Sequence, residues 1–392
     1  MRQKRVWRDT NFRRSRKTWL LLLLLLVSAF PFPVQAQKKK MIENLLSAHP
    51  EMFGKILENP EKYRVQILYT QIDRDAKNRP SFTSYRYRVN PQEYFYPAST
   101  VKLPGALVAL EKLNQLHVEG LDKHTPLKIG KAYAGQTEVS TDSTAHNHLP
   151  SLAHYIRKVL VVSDNDAYNR LYEFLGQQYL NEALHQKGYT DVRLVHRLSI
   201  FLSPDENRHT NPFTFYLGNN SVYRQPLVQN PNPIPNHLKE THLGKGYLQG
   251  GKLVQEPMDF SEKNAISVET LQSILKSVMF PDFVPEKQRF NLTPDDYIFL
   301  YKYLSTLPRE SAFPSYDPEE YPDSYVKFLL YGNRKERIPE HIRIFNDGKY
   351  EYDEEGFPFM RDLGQVVYQH ELQRKRRYPP NLNRFRMSYK GM

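Results

Sequence analysis

The sequence predicts a mixed α/β (α+β) fold: an antiparallel sheet flanked by helices, with an all-helical lobe inserted into it. Three observations carry this expectation. Thr83, Tyr85, Tyr87 and Val89 alternate with Ser84, Arg86 and Arg88, a period of two. From Thr100 the period changes, and Leu103, Ala106, Leu107, Leu110 and Leu113 line one helical face. Short β-rich runs, Tyr325 to Tyr331 and Ile342 to Phe345, return late in the chain. A sheet closed from both chain ends around a helical middle satisfies all three.

Taken in order, Arg64 to Ile72 is β-branched and aromatic, and Asp73 to Pro80 is a turn-rich break, so 64–89 reads as a hairpin. Helices follow over 151–161 (Leu152, Tyr155, Ile156, Val159) and 166–175 (Leu171, Phe174, Leu175), the second stopped by Gly176. Residues 218–262 read as an irregular surface insertion, because Asn230-Pro231-Asn232-Pro233-Ile234-Pro235 suits neither a central strand nor a helix interior. Helices are expected again at 267–279 and 294–306, the latter with Thr293 as N-cap, Pro294 at its first position and Asp295 and Asp296 in its first turn. Residues 357–374 read as a last helix before a basic, Pro- and Asn-rich tail at 374–392.

The chain has 392 residues, 40% of them hydrophobic, which allows a sizeable core. It has no cysteine, so disulfides, thiolate metal sites and cysteine nucleophiles are excluded. The net charge of +12 is confined to the ends: residues 1–40 carry +10, residues 374–392 carry +7, and 41–373 carries −5. A nucleic-acid-binding domain carries its positive charge on the fold itself, so no nucleic-acid partner is expected. Residues 1–36 have the order of a secretory signal: a basic head from Arg2 to Lys17, seven leucines from Leu20 to Leu26, then Pro31, Pro33 and Val34-Gln35-Ala36. The apolar run is too short to span a bilayer of about 30 Å. A periplasmic or secreted protein is expected, touching the membrane only through this segment before cleavage, with a mature domain at 37–373.

Two motifs carry candidate chemistry. Ser99-Thr100-Val101-Lys102 opens the apolar helix, and a serine and a lysine at i and i+3 share one helix face. A buried neutral lysine there can take the hydroxyl proton and make a nucleophile of the serine. The bare pattern recurs at Ser273/Lys276 and Ser324/Lys327, but neither pair lies at a helix start. Ser163-Asp164-Asn165 falls in the gap between two helices and is expected by chance only about 0.06 times in such a chain. A serine there can relay a proton and an asparagine can hold a substrate amide. Each motif alone reads first as helix capping. Their order and setting together favour a site.

These residues resemble the penicillin-recognising serine hydrolase superfamily, and within it an exported branch similar to class A β-lactamases. Tyr96-Pro97-Ala98-Ser99-Thr100-Val101-Lys102-Leu103-Pro104 and Val162-Ser163-Asp164-Asn165-Asp166-Ala167 carry the likeness. The resemblance implies a β-lactamase/transpeptidase-like fold with a five-stranded antiparallel sheet, and an acyl-enzyme mechanism without cofactor. Ser99 attacks an amide or lactam carbonyl, Lys102 takes the proton, Ser163 hands one to the leaving nitrogen, and Asn165 binds substrate. The expected partner is a small β-lactam or a peptidoglycan-derived substrate, and a monomer is expected. The family's loop glutamate, which activates the deacylating water, has a candidate in Glu206, although its spacing to Asn211 departs from the family pattern.

The family's third motif, Lys-Thr-Gly on a late strand, is absent: after Ser163-Asp164-Asn165 no Lys-x-Gly occurs. Arg343-Ile344-Phe345-Asn346 looks like the run-up to that strand, yet Asp347-Gly348-Lys349 follows directly. A late sheet strand is therefore expected to be missing, and with it a cation for a substrate carboxylate. That departure opens an alternative, a catalytically impaired wall-associated binding protein. No metal is expected: His146, His148 and His154 lack a carboxylate or cysteine at recognisable spacing. The tyrosines at 85, 87, 94 and 96 read as strand packing.

Overall fold

The computed structural model describes residues 40–323, 325 and 326, together with two backbone strands at 365–369 and 384–388. The signal segment 1–36, the expected strand Ile342 to Phe345, most of the expected strand Tyr325 to Tyr331 and the junction after Asn346 lie outside the described residues.

The chain divides into two compact units, Met1–Gln71 with Thr83–Arg88, and Ile72–Phe82 with Val89–Met392. In the first, helix α1 (Met41–Ser47) buries Ile42 and Leu46, and α2 (Pro50–Glu58) starts on a proline, which gives up no helical hydrogen bond there. The expected hairpin is present as β1 (Ile67–Arg74) and β2 (Pro80–Tyr87). In its outer part Tyr69 stacks on Tyr85 at 5.8 Å and Thr70 and Ser84 share a 2.7 Å hydrogen bond.

The second unit is built around α3 (Lys102–Gln115). Val101 and Ala106 through Leu110 are fully buried, so the helix is enclosed on all sides rather than along the single stripe its sequence suggests. Gly105 permits this: a Cβ at that position would lie 3.1 Å from the buried Tyr168 ring. β3 is Leu127–Ile129. Helices α4 (Leu152–Val162), α5 (Asn165–Leu175) and α6 (Gln177–Gln186) form the helical lobe, and Phe174, Leu180 and Leu184 are buried in its core. Gly176 at φ 75° ends α5 as expected, in a conformation that a side chain would strain. A short helix, α7 (Pro204–Arg208), precedes β4 (Phe213–Leu217) and β5 (Asn220–Gln225).

Strands β3, β4 and β5 make an antiparallel sheet in that order, with Leu127 opposite Phe215 and Phe213 opposite Gln225. Phe174 of α5 meets the rings of Phe213 and Phe215 edge-on at 5.6 and 5.7 Å, tying the lobe to this sheet. Burying each such ring contributes about 1.5–3 kcal/mol. Helix α8 (Val268–Met279) and α9 (Pro294–Ser305) complete the unit. Thr293 caps α9 with a reciprocal bond from Asp296, as the sequence predicts.

Two expectations are corrected. The insertion 218–262 is not irregular throughout: it contains β5 and short ladders at Tyr247–Gln249 with Lys252–Val254 and at His242–Leu243 with Met258–Asp259. Val222 and Tyr223 explain β5, since both pack against the core. The expected helix 357–374 contains a strand instead, β6 (Gln365–Gln369), paired antiparallel with β7 (Arg384–Ser388) inside the expected tail. Val366, Val367 and Tyr368 favour that outcome. The sheets among the described residues have two or three strands, and the late strands of the five that the resemblance implies fall largely outside the described residues.

Candidate active site

Ser99 lies on a 3-10 turn, Ala98–Val101, that runs directly into α3. Its side chain caps no helix. Ser99 is exposed, whereas Lys102, three residues on and at the first position of the helix, is 2% exposed. One turn of chain thus carries a solvent-facing hydroxyl and a buried amine.

The amine gathers its partners from the gap between α4 and α5. Lys102 Nζ lies 3.0 Å from Ser99 Oγ, 2.8 Å from Ser163 Oγ and 2.7 Å from Asn165 Oδ1, and it also donates to the Ser163 carbonyl. Ser163 has φ 60°, a left-handed conformation that turns both its carbonyl and its hydroxyl to the lysine. The capping role is taken by Asp164, whose carboxylate accepts the Ala167 N–H at 2.8 Å. Ser163 and Asn165 are therefore both available to the amine. Burial pushes the Lys102 amine down to about 8, against the pull of the Asp164 charge. A population of neutral amine follows near pH 8, and its lone pair can receive the Ser99 proton.

Behind this cluster Lys158 reaches Asp164 at 3.3 Å and Asp142 at 3.8 Å, and His154 Nε2 lies 3.1 Å from Asp142. The His154 bond, with help from Thr144, holds the Asp142 carboxyl well below the usual carboxylate range. His154 is thus a structural histidine, and His146 meets the Phe313 ring edge-on at 4.6 Å. Among the described residues no group of three or more His, Asp or Glu is arranged to hold a metal ion.

Glu206 is placed differently. Ser203 donates both its backbone N–H and its hydroxyl to Glu206 Oε2, each at 2.7 Å, and Ser203 Oγ accepts the Glu206 N–H at 3.2 Å. This is a capping box at the start of α7, whose sequence signature, Ser-x-x-Glu, was there to be read. No described hydrogen bond joins Glu206 to Ser99, Lys102, Ser163 or Asn165.

Sequence reasoning missed Ser199 and Asn169. Asn165 Nδ2 donates to Ser199 Oγ at 2.8 Å, and the Asn169 carboxamide binds both the N–H and the carbonyl of Leu198, at 2.7 and 2.9 Å. No motif announces these pairs, which join residues about 30 positions apart. The tyrosines fit the packing reading: Tyr94 is buried with its hydroxyl on the Asn264 carbonyl at 2.9 Å, and Tyr94 and Tyr96 both lie against Phe260.

Comparison with known proteins finds a match to the stretch that holds this cluster, a serine and a lysine on one turn facing a serine and an asparagine from an interhelical gap. Residues 55–229, which hold both motifs, match the beta-lactamase enzyme family. Over that stretch the chain is similar to the penicillin-recognising serine hydrolases. Among solved structures it is similar to a variant of the last common ancestor of Gram-negative bacteria class A beta-lactamases, at 16% identity over 65% of this chain and 70% of that one, with a TM-score of 0.32. No curated protein matches the chain.

Proposed function

We propose that this protein is an exported hydrolase that is acylated on Ser99 by an amide or lactam, as in β-lactam hydrolysis or a related hydrolysis of peptidoglycan amides or esters. The observation that carries the reading is the position of one buried amine within hydrogen-bond distance of two hydroxyls and a carboxamide. Neutral Lys102 takes the Ser99 proton while Oγ attacks the carbonyl. The Ser99 N–H contributes half of an oxyanion hole. Ser163 passes a proton to the leaving nitrogen, and an Asn165 N–H holds the carbonyl of the substrate's side-chain amide. Water then releases the acyl group. Glu206 is proposed as the activator of that water on its position in the sequence, beside its capping role. Export rests on the signal-like order of residues 1–36.

A second reading is favoured by one observation, the absence of any Lys-x-Gly after Asn165. It makes the protein a wall-associated binder with impaired turnover. A single experiment separates the two. Mature protein is incubated with a fluorescent penicillin and followed by intact mass. Label that forms on Ser99 and clears within minutes supports the hydrolase; label that persists for hours supports the impaired binder. Label that survives Ser99→Ala removes Ser99 as the nucleophile.

A further inference from the structure

Helix α5 grips the segment that follows the helical lobe through three side chains spaced four residues apart on one face. Asn165 holds Ser199, Asn169 holds Leu198, and Glu173 Oε1 accepts from Arg197 Nε at 2.9 Å. The two chains run in opposite directions. The helix advances about 12 Å over these eight residues while an extended chain advances about 7 Å over two, and the long Arg197 side chain covers the difference. Ser199 ends this zipper at φ 53°, left-handed for a non-glycine residue. Beyond it Ile200 is 46% and Phe201 99% exposed before α7 begins. The serine hydroxyl therefore meets the candidate site at the last point where the segment is fixed to α5.

We propose that Ser199 is a positioning residue for Asn165, an inference that rests on the hydrolase reading above. A carboxamide has one acceptor and two N–H donors. In Asn165 the acceptor is taken by Lys102 and one donor by Ser199. Held at both ends, the group can neither flip nor rotate, and its second N–H is left for a carbonyl of the substrate. The two N–H bonds diverge by about 120°, which sets such a carbonyl oxygen about 5 Å from Ser199 Oγ. Ser199 thereby selects acyl donors that carry an amide carbonyl beside the bond to be broken, and leaves the attack by Ser99 itself untouched.

The test compares two probes on wild type, Ser199→Ala and Ser199→Gly. One probe is a fluorescent penicillin with a side-chain amide; the other is an activated aryl ester without one. Each variant is expected to lose about tenfold in the second-order rate of Ser99 acylation by the penicillin, the effect of losing one side-chain hydrogen bond. Acylation by the ester should stay within about twofold. Glycine relieves the left-handed backbone and alanine does not, so a full penicillin rate in Ser199→Gly assigns the effect to backbone strain and overturns the proposal. Equal losses with both probes overturn it as well, because Ser199 would then act through Lys102 or the fold. So does no loss with either probe. Failure of wild type to be labelled on Ser99 by either probe is a different result, which removes the hydrolase reading and this inference with it.

Discussion

If Lys102 is the base for Ser99, acylation must follow its neutral fraction. With the amine pushed down to about 8 by burial, that fraction is about one tenth at pH 7, one half at pH 8 and nine tenths at pH 9. The acylation rate at fixed penicillin should therefore rise about tenfold between pH 7 and pH 9, with an inflection near 8. Asp164 supplies a directed perturbation. Its charge draws the Lys102 value upward, and its carboxylate caps α5. Asparagine caps a helix as well as aspartate does, so Asp164→Asn removes the charge and keeps the helix start. The inflection should then move to lower pH. Stopped-flow fluorescence with label checked by mass, over pH 6 to 10, measures both profiles. A flat profile, or an inflection at the ordinary lysine value of 10.5, would refute the desolvated base. An inflection that Asp164→Asn leaves in place would refute the coupling. Stability carries the matching sign. The folded value lies below the unfolded one, so the penalty of burying the charged amine is full below about pH 8 and fades as pH rises to 10.5.

Two further outcomes follow from the segment gripped by α5. Glu173 is 4% exposed and pairs with Arg170 at 3.0 Å and Arg197 at 2.9 Å, both themselves buried, so Glu173→Ala strands the buried Arg197 cation, leaves Arg170 only Asp166, and should cost about 3–5 kcal/mol in urea unfolding; a loss under about 1 kcal/mol would show that Arg197 re-pairs cheaply. Glu206→Gln keeps an acceptor for Ser203, so α7 should persist, and if Glu206 also activates the deacylating water the Ser99 acyl form should accumulate in time-resolved mass spectra, whereas unchanged turnover restricts Glu206 to its cap.

What was legible in the sequence was local. The β1–β2 hairpin shows as alternation, α3 as a 3.6-residue stripe, and the start of α9 as Thr293 with Pro294 and Asp296. Elements without a local signal were missed. Helix α6 has Leu180 and Leu184 as its buried leucines in a mostly polar run, too sparse for a stripe to show. β5 lies in a segment whose prolines, Pro231, Pro233 and Pro235, dominate its reading, although the strand ends before them. The Val366–Tyr368 run in β6 is three residues long, shorter than the helical window that swallowed it.

The site divides in the same way. Ser99 and Lys102 lie one turn apart, and their geometry follows from spacing alone. Ser163-Asp164-Asn165 was visible as a string, but not as a division of labour, because each residue suits a helix cap equally well. What settles that division is one backbone angle. With Ser163 at φ 60°, the first residue past α4 turns back toward Lys102, and Asp164, in extended conformation, becomes the residue that starts α5. The flanking serine and asparagine then both face the amine, and the middle aspartate both holds the helix and sets the charge that the amine feels. The Asn165 carboxamide is completed by Ser199, 34 residues away. A hydroxyl brought to the site by a helix face gripping a distant segment has no spacing of its own to detect. The motif could therefore mark where the chemistry is concentrated and still leave unnamed the residue that aims its asparagine.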